Sequence, residues 1–202
     1  MQHIPQVAKA ILRVLTETRV ADMVRDQERV HGSARSARGR AREVCGMWTL
    51  QSPAFGHGEP IPKQHTGDGE DSSPGLAWSE PPAGTRELAL VVDDPDAPTP
   101  EPWVHWVLYK LPATVRVLPP GIPPTRSVAG LSGVLQGKNS WGGIGWRGPA
   151  PPRGHGVHRY HVKLFALDTL LPDTGGWSKR ELVAAMHGHV LGEAEIVGTY
   201  QR

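Results

Sequence analysis

Three stretches of this chain are built like β-strands and are fenced by proline and glycine. They are "RELALVVDDPDAPTPEP" from residue 86, "WVHWVLYKLP" from 103 and "VHRYHVKLFALD" from 157. The first holds an unbroken apolar run, Leu88 to Val92, and exits through an acidic, proline-rich turn. The third alternates, with Tyr160, Val162, Leu164 and Ala166 against His161 and Lys163. Period two is the side-chain period of a strand. Proline has no N–H to give a ladder and breaks helices, so it confines these runs to short elements joined by turns. With 20 prolines and 24 glycines in 202 residues, a helical bundle is excluded.

Shorter pieces fit the same scheme. "TLQSPAF" and "LAWSEPPAG" read as short strands followed by turns, and "EAEIVGTYQ" as a closing strand. One helix is predicted in "SKRELVAAMHGHVLG": Ser178 and Glu181 form a capping box, Leu182, Ala185 and Met186 an apolar face, and Gly192 the stop. Strands dominate and no β-α-β alternation is present, so a mostly β fold is expected, a sandwich or barrel with one or two short helices.

Residues 1–46 are different. They carry nine Lys/Arg against five Asp/Glu, and "HGSARSARGRAR" has no hydrophobic period. Helical spacing at Ile4, Val7, Ile11 and Leu15 precedes it. The segment reads as a basic extension, partly helical or disordered, or as sequence upstream of a start at Met47; residues 47–202 form the domain. That domain holds thirteen Lys/Arg against fifteen Asp/Glu, and so has no broad basic footprint for nucleic acid. A lone cysteine, Cys45, excludes an intrachain disulfide. No apolar run is long enough to cross a bilayer and no secretory signal is evident, so a cytoplasmic protein is expected.

Familiar nucleotide motifs fail on context. "GIGWRG", 143–148, runs into Pro149, Pro151 and Pro152 instead of a helix. "GVLQGKN", 133–139, is one residue short of a P-loop and ends in Asn139.

What remains is an acid–histidine constellation at strand ends: Asp93, Asp94 and Asp96 in "DDPDAP", His105 between Trp103 and Trp106, and "GPAPPRGHGVHRY" with His155, His158 and Arg159. A histidine in so apolar a run needs a partner, and the acidic turn one hairpin away is the natural source of a carboxylate. Arg159 is expected to brace that turn. An X–Pro bond in it, Asp94–Pro95 foremost, is a candidate for the cis form. Asp with two His also suits a general base or a two-His-one-carboxylate metal site, so a hydrolase or metal-dependent enzyme stands as an alternative.

Residues 47–202 resemble the phosphatidylethanolamine-binding protein family in its bacterial and archaeal, Raf-kinase-inhibitor-like branch. The resemblance rests on "SPGLAWSEPPAGTRELALVVDDPDAP", "WVHWVLYKLP", "GKNSWGGIGWRGPAPPRGHGVHRYHVKLFALD" and "ELVAAMHGHVLGEAEIVGTYQR", in that order. It implies a Greek-key β-sandwich with a small anion pocket. Asp94, Asp96, His105, Pro151, Pro152, Gly156, His158 and Tyr160 correspond to that pocket, with Arg159, Trp103 and Trp146 supporting it. It further implies a non-enzymatic binding protein for phosphate, carboxylate or phospholipid headgroup, with no cofactor or metal, a kinase or protease as a partner it regulates, and homodimerisation as an option. A module for phosphorylated or acidic peptides is the other alternative. The branch often has cysteine where this chain has Gly67 and Ala150, and tyrosine or phenylalanine at Trp141 and Trp146.

Overall fold

The computed structural model describes residues 48–202; the basic extension, its helical spacing and Cys45 lie outside the described residues. The elements are β1 (Leu50–Gln51), a 3-10 turn (Lys63–His65), β2 (Leu76–Trp78), β3 (Glu87–Asp94), β4 (Trp103–Pro112), β5 (Val117–Leu118), β6 (Leu135–Gln136), β7 (His158–Leu167), α1 (Lys179–Met186) and β8 (Val190–Tyr200). The strands form two antiparallel sheets, a small one ordered β1-β2-β5 and a large one ordered β6-β4-β3-β7-β8. Within the large sheet the sequence β7-β3-β4-β6 is the Greek-key order, because β7 returns to lie beside the first strand of the hairpin.

Three layers result. Leu50, Leu76 and Trp78 of the small sheet meet Leu88, Leu90, Val92, Leu108, Val162 and Leu164 of the large one in the main core. On the other face, Ala89, Val91, Val107 and Tyr109 pack against Leu182 and Met186 of α1. The central strand β3 is therefore buried along its whole length, which explains its unbroken apolar run. Its parity also decides the fate of its two last residues. Asp94 continues the face of Leu90 and Val92, and Asp93 continues that of Val91, where it pairs with Lys179 at the start of α1. Neither carboxylate is left alone in the interior.

Strict alternation fails in β4, and the failure matters. Val92 pairs with Trp106, but the next residue, Asp93, pairs with Val104. His105 is the extra residue of a β-bulge. Val104 and Val107 both pack on the helix side, so His105 and Trp106 both project to the opposite side. A second irregularity lies at Lys110, whose φ of 61° is left-handed. It is held there by Asp173 at 2.7 Å, by Glu87 at 3.7 Å and by the Leu171 carbonyl at 2.7 Å.

Two sequence expectations are corrected. The helix ends at Met186, with Gly188 at φ 81°, and does not reach Gly192; Gly192 sits inside β8 opposite Ala166. Glycine in the left-handed region just past a helix is the usual terminator, and Gly188 supplies it four residues early. The Asp94–Pro95 bond is trans, as is every other peptide bond among the described residues. The capping box, by contrast, forms as read, with Ser178 and Glu181 bonding each other's backbone amides.

Close approach fixes one glycine. A Cβ at Gly137 would fall within the radius of the Trp177 carbonyl oxygen and 2.7 Å from the Val107 Cγ1. Both neighbours are held by the sheet and the α1 entry. Gly137→Ala is expected to cost about 3 kcal/mol or more, measured as a shift of the urea midpoint at unchanged m-value.

Candidate functional site

At the end of the large sheet where β3 stops and β4 and β7 begin, a cavity of about 220 Å³ opens, lined by those strands and the loops around them. Tyr160, His105, His158 and Asp94 form its inner part; Trp103, Trp141, Pro98, Pro151 and Pro152 form its rim. Each inner residue arrives by strand parity or by the bulge. His158 and Tyr160 lie on the core-facing side of β7, with Val162 and Leu164 behind them, while Arg159 points outward. Asp94 ends the core face of β3. His105 reaches the cavity only because the bulge turns it there.

The polar groups are tightly assigned. Asp94 accepts from the Asp96 amide at 2.9 Å with one oxygen and bonds His158 Nδ1 at 2.7 Å with the other. His158 Nε2 in turn lies 2.8 Å from His155 Nδ1. Asp94 and His158 are buried, so this chain of three links the interior to an exposed loop whose Gly154 and Gly156 have φ of 76° and 89°. Asp96 turns away from the cavity. It accepts from Arg159 through the backbone amide at 2.9 Å, Nε at 2.9 Å and the terminal nitrogen at 2.7 Å. Those bonds to Arg159 hold its carboxyl at about 2, below the ordinary 3.8. The arginine braces the acidic turn, as read from the sequence.

His105 is held differently from the expectation. Among the described residues, no carboxylate takes its far nitrogen. Nδ1 donates to the Arg147 carbonyl at 2.5 Å, and this fixes the tautomer with an unprotonated Nε2. Burial pushes its pKa below the usual histidine value, so the ring is neutral at pH 7. Its ring stands edge-on to Trp141 and to Tyr160, each at 5.1 Å between centroids. The Tyr160 hydroxyl is buried and without a hydrogen-bond partner among the described residues. Burial, reinforced by Asp94, raises its pKa, so it stays protonated as a donor.

The rim is stiff. Trp103 meets Trp141 edge-on at 5.3 Å, and the Arg147 guanidinium lies 4.9 Å from the Trp141 ring centre. The "NSWGGIGWRG" segment that carries them is a turn organised by Asn139. Its side-chain oxygen accepts from the Trp141 and Gly143 amides, both at 3.1 Å, and its nitrogen donates to the Gly145 carbonyl at 3.1 Å. Asp71 then takes the Gly148 amide at 2.6 Å.

Of the residues singled out in the sequence, Asp94, His105, Pro151, Pro152, His158, Tyr160 and Trp103 are brought together at the cavity. Asp96, Gly156 and Trp146 stand off its wall; Trp146 is buried in the core against Trp106, 5.8 Å between centroids. The wall adds Trp141, Ala97, Thr99 and Ala150. Gly67 and Ala150 are neighbours, since a Cβ at 67 would lie 3.1 Å from that of Ala150. Among the described residues, no three His, Cys, Asp or Glu side chains are grouped to hold a metal ion.

Comparison with known proteins adds the following. The family profile described as "Phosphatidylethanolamine-binding protein" matches residues 51–201. The UPF0098 protein of Methanothermobacter thermautotrophicus is 44% identical over 153 residues, which are 76% of this chain and 98% of that protein. The UPF0098 protein of Aquifex aeolicus is 43% identical over 152 residues, 75% of this chain and 86% of its own. Among solved structures, E. coli YbcL, described as a member of the mammalian PEBP family, superposes with a TM-score of 0.72 at 33% identity, over 77% of this chain and 98% of that one. A phosphatidylethanolamine-binding protein homologue of Chlamydia trachomatis gives 0.68 at 38% identity, over 77% and 97%.

Replacing Arg159 by leucine is expected to return the Asp96 carboxyl from about 2 toward 3.8, read by carboxyl carbon NMR. The sign follows from the depressed value: the brace is complete above pH 4, and it is lost as the pH falls through the value held in the fold. A profile unchanged in the variant contradicts the assignment.

Proposed function

This chain belongs to the phosphatidylethanolamine-binding protein family, and on that premise we propose that it is a binding protein whose cavity captures a small acidic group, a phosphate, a carboxylate or a phospholipid headgroup, without transforming it. One observation carries the reading. A buried tyrosine hydroxyl, protonated and without a partner among the described residues, faces the same cavity as a buried histidine with a lone pair to spare. Such groups are costly to leave unmet and are met when a ligand with both acceptor and proton arrives.

The size and chemistry of the cavity support a group over a whole molecule. About 220 Å³ holds a phosphate or carboxylate and a few waters. Prolines and tryptophans around the mouth offer apolar contact to whatever carries that group. Asp94 supplies no contact of its own. Both of its oxygens are engaged, and its role is to orient His158. Because Asp94 is a carboxylate beside the ligand, an anion is held only when a proton comes with it, either on the anion or taken up by His105. The hydrolase alternative would use Asp94–His158 as a general base, and His158 Nε2 is engaged by His155 instead. A kinase or protease would be regulated through such a site only by inserting an acidic side chain of its own.

Two outcomes follow. Tyr160→Phe removes a hydrogen bond to a charged ligand and is expected to weaken binding of inorganic phosphate by about 1.5–3 kcal/mol, measured by NMR titration, with phosphoethanolamine and acetate as parallel ligands. Wild type and variant binding alike would refute the role of the hydroxyl. His105 is neutral in the free protein because burial lowers its pKa, and a bound anion favours the charged ring. Binding therefore takes up protons and weakens as the pH rises. Calorimetry in two buffers of different ionisation enthalpy measures that uptake, and none at pH 7 would contradict it.

A further inference from the structure

The first cavity shares a wall with a second concavity of about 720 Å³ on the helix side of the large sheet. The wall is the start of β4 with the loop at 139–142. Trp103, His105 and Trp141 face the first cavity; Pro102, Val104, Ser140 and Gly142 face the second. Two bonds make it one piece, since the Val104 amide donates to Ser140 Oγ at 2.8 Å and the Ser140 amide to the Val104 carbonyl at 2.9 Å. The lining of the second concavity also includes Lys138, next to this wall, and Lys179, Arg180 and Val183 of α1.

Its charge is positive. Lys179 is engaged by buried Asp93. Lys138 and Arg180 are exposed, and neither forms an ion pair among the described residues. Glu101 is the carboxylate lining the groove. Val183, 46% exposed, adds an apolar contact. The basic character is local, because residues 47–202 hold thirteen Lys/Arg against fifteen Asp/Glu. Two unpaired cations in a concave groove cannot follow a polynucleotide backbone or lie flat on a bilayer. They do match a short extended chain with a few carboxylates.

We propose that this basic groove is a second recognition site, and that a peptide with an acidic or phosphorylated side chain in the first cavity lays an adjoining acidic run across the start of β4 into it. The proposal rests on the anion-pocket reading for its first anchor only. It names the partner: a protein segment with one phosphorylated or carboxylate anchor beside a cluster of Asp or Glu. The lipid headgroup and the free small anion need nothing from the groove.

The test uses the full chain and fluorescein-labelled synthetic peptides. One peptide carries a single phosphoserine among glycine, serine and asparagine; two others add four glutamates before or after it. One of the glutamate peptides is expected to bind about tenfold tighter at low salt, the gain of two exposed charge pairs. The double variant Lys138→Ala/Arg180→Ala loses that gain and keeps the affinity for the single-phosphoserine peptide; the residues are exposed, and thermal melts check that the fold is intact. Lys138→Arg retains it. Equal affinity for all peptides in the wild type, or a gain that survives the double variant, overturns the proposal. So does loss in these variants of binding to phosphatidylserine vesicles without any discrimination among peptides. Failure of the anion pocket shows separately, as a glutamate-dependent gain that persists in His105→Ala while inorganic phosphate leaves the Tyr160 resonances unmoved.

Discussion

One extra residue in β4 sets the terms for the site. The large sheet is covered on both faces, by the small sheet and by α1, so every side chain in its centre must be apolar or paired. The bulge at His105 breaks the alternation at the sheet's end and adds an imidazole to the core-facing side beside Trp106. There it meets Tyr160 from β7 and the Asp94–His158 pair from β3 and β7. Without the bulge, His105 would face the helix side with Val107, away from Tyr160 and the Asp94–His158 pair.

In the acid–histidine cluster at that centre, the polar groups are committed except those that face the opening. Arg159 occupies Asp96, and the amide of Asp96 and the ring of His158 occupy Asp94. The Arg147 carbonyl occupies one nitrogen of His105. The unspent capacity is a tyrosine O–H and an imidazole lone pair. On the proposed reading, this distribution would favour a group able to accept a hydrogen bond and to deliver a proton at once. It would also separate residues that touch such a group from residues that hold others in place, a distinction that composition alone does not make. The proline and tryptophan rim limits water and motion, so the donors are already in position before anything binds.

Much of this was legible in the chain. The strand runs, the capping box at Ser178 and the acid–histidine grouping all follow from residue type and spacing. Arg159 could be assigned to the acidic turn because a guanidinium beside several aspartates finds a carboxylate first. What stayed hidden depended on register. The run Trp-Val-His-Trp-Val is apolar but for one residue, and nothing within it reveals that Asp93 pairs with Val104 and leaves His105 as a bulge. The same holds for Trp141, whose place at the rim is dictated by Asn139 bonding its own turn, and for His155, whose bond to His158 requires two left-handed glycines around it. Asn139 inside a glycine-rich run was the one available signal, since asparagine there commonly organises a turn. Asp96 was placed in the pocket by its position in the motif, yet its side chain is drawn outward by the arginine. The helix terminator was set at Gly192, although Gly188, directly after the apolar face ends, already satisfied the need for a left-handed residue.

The central claim is that the buried Tyr160 hydroxyl and the free nitrogen of His105 are the contacts of the captured group. A crystal soaked in phosphate near pH 6 tests it most directly. The account predicts one phosphate inside the rim, with oxygens within about 3 Å of both Tyr160 Oη and His105 Nε2 and with the Asp94–His158 bond intact. A cavity left to water alone at saturating phosphate, or a phosphate bound outside the tryptophan rim with neither group engaged, would contradict it.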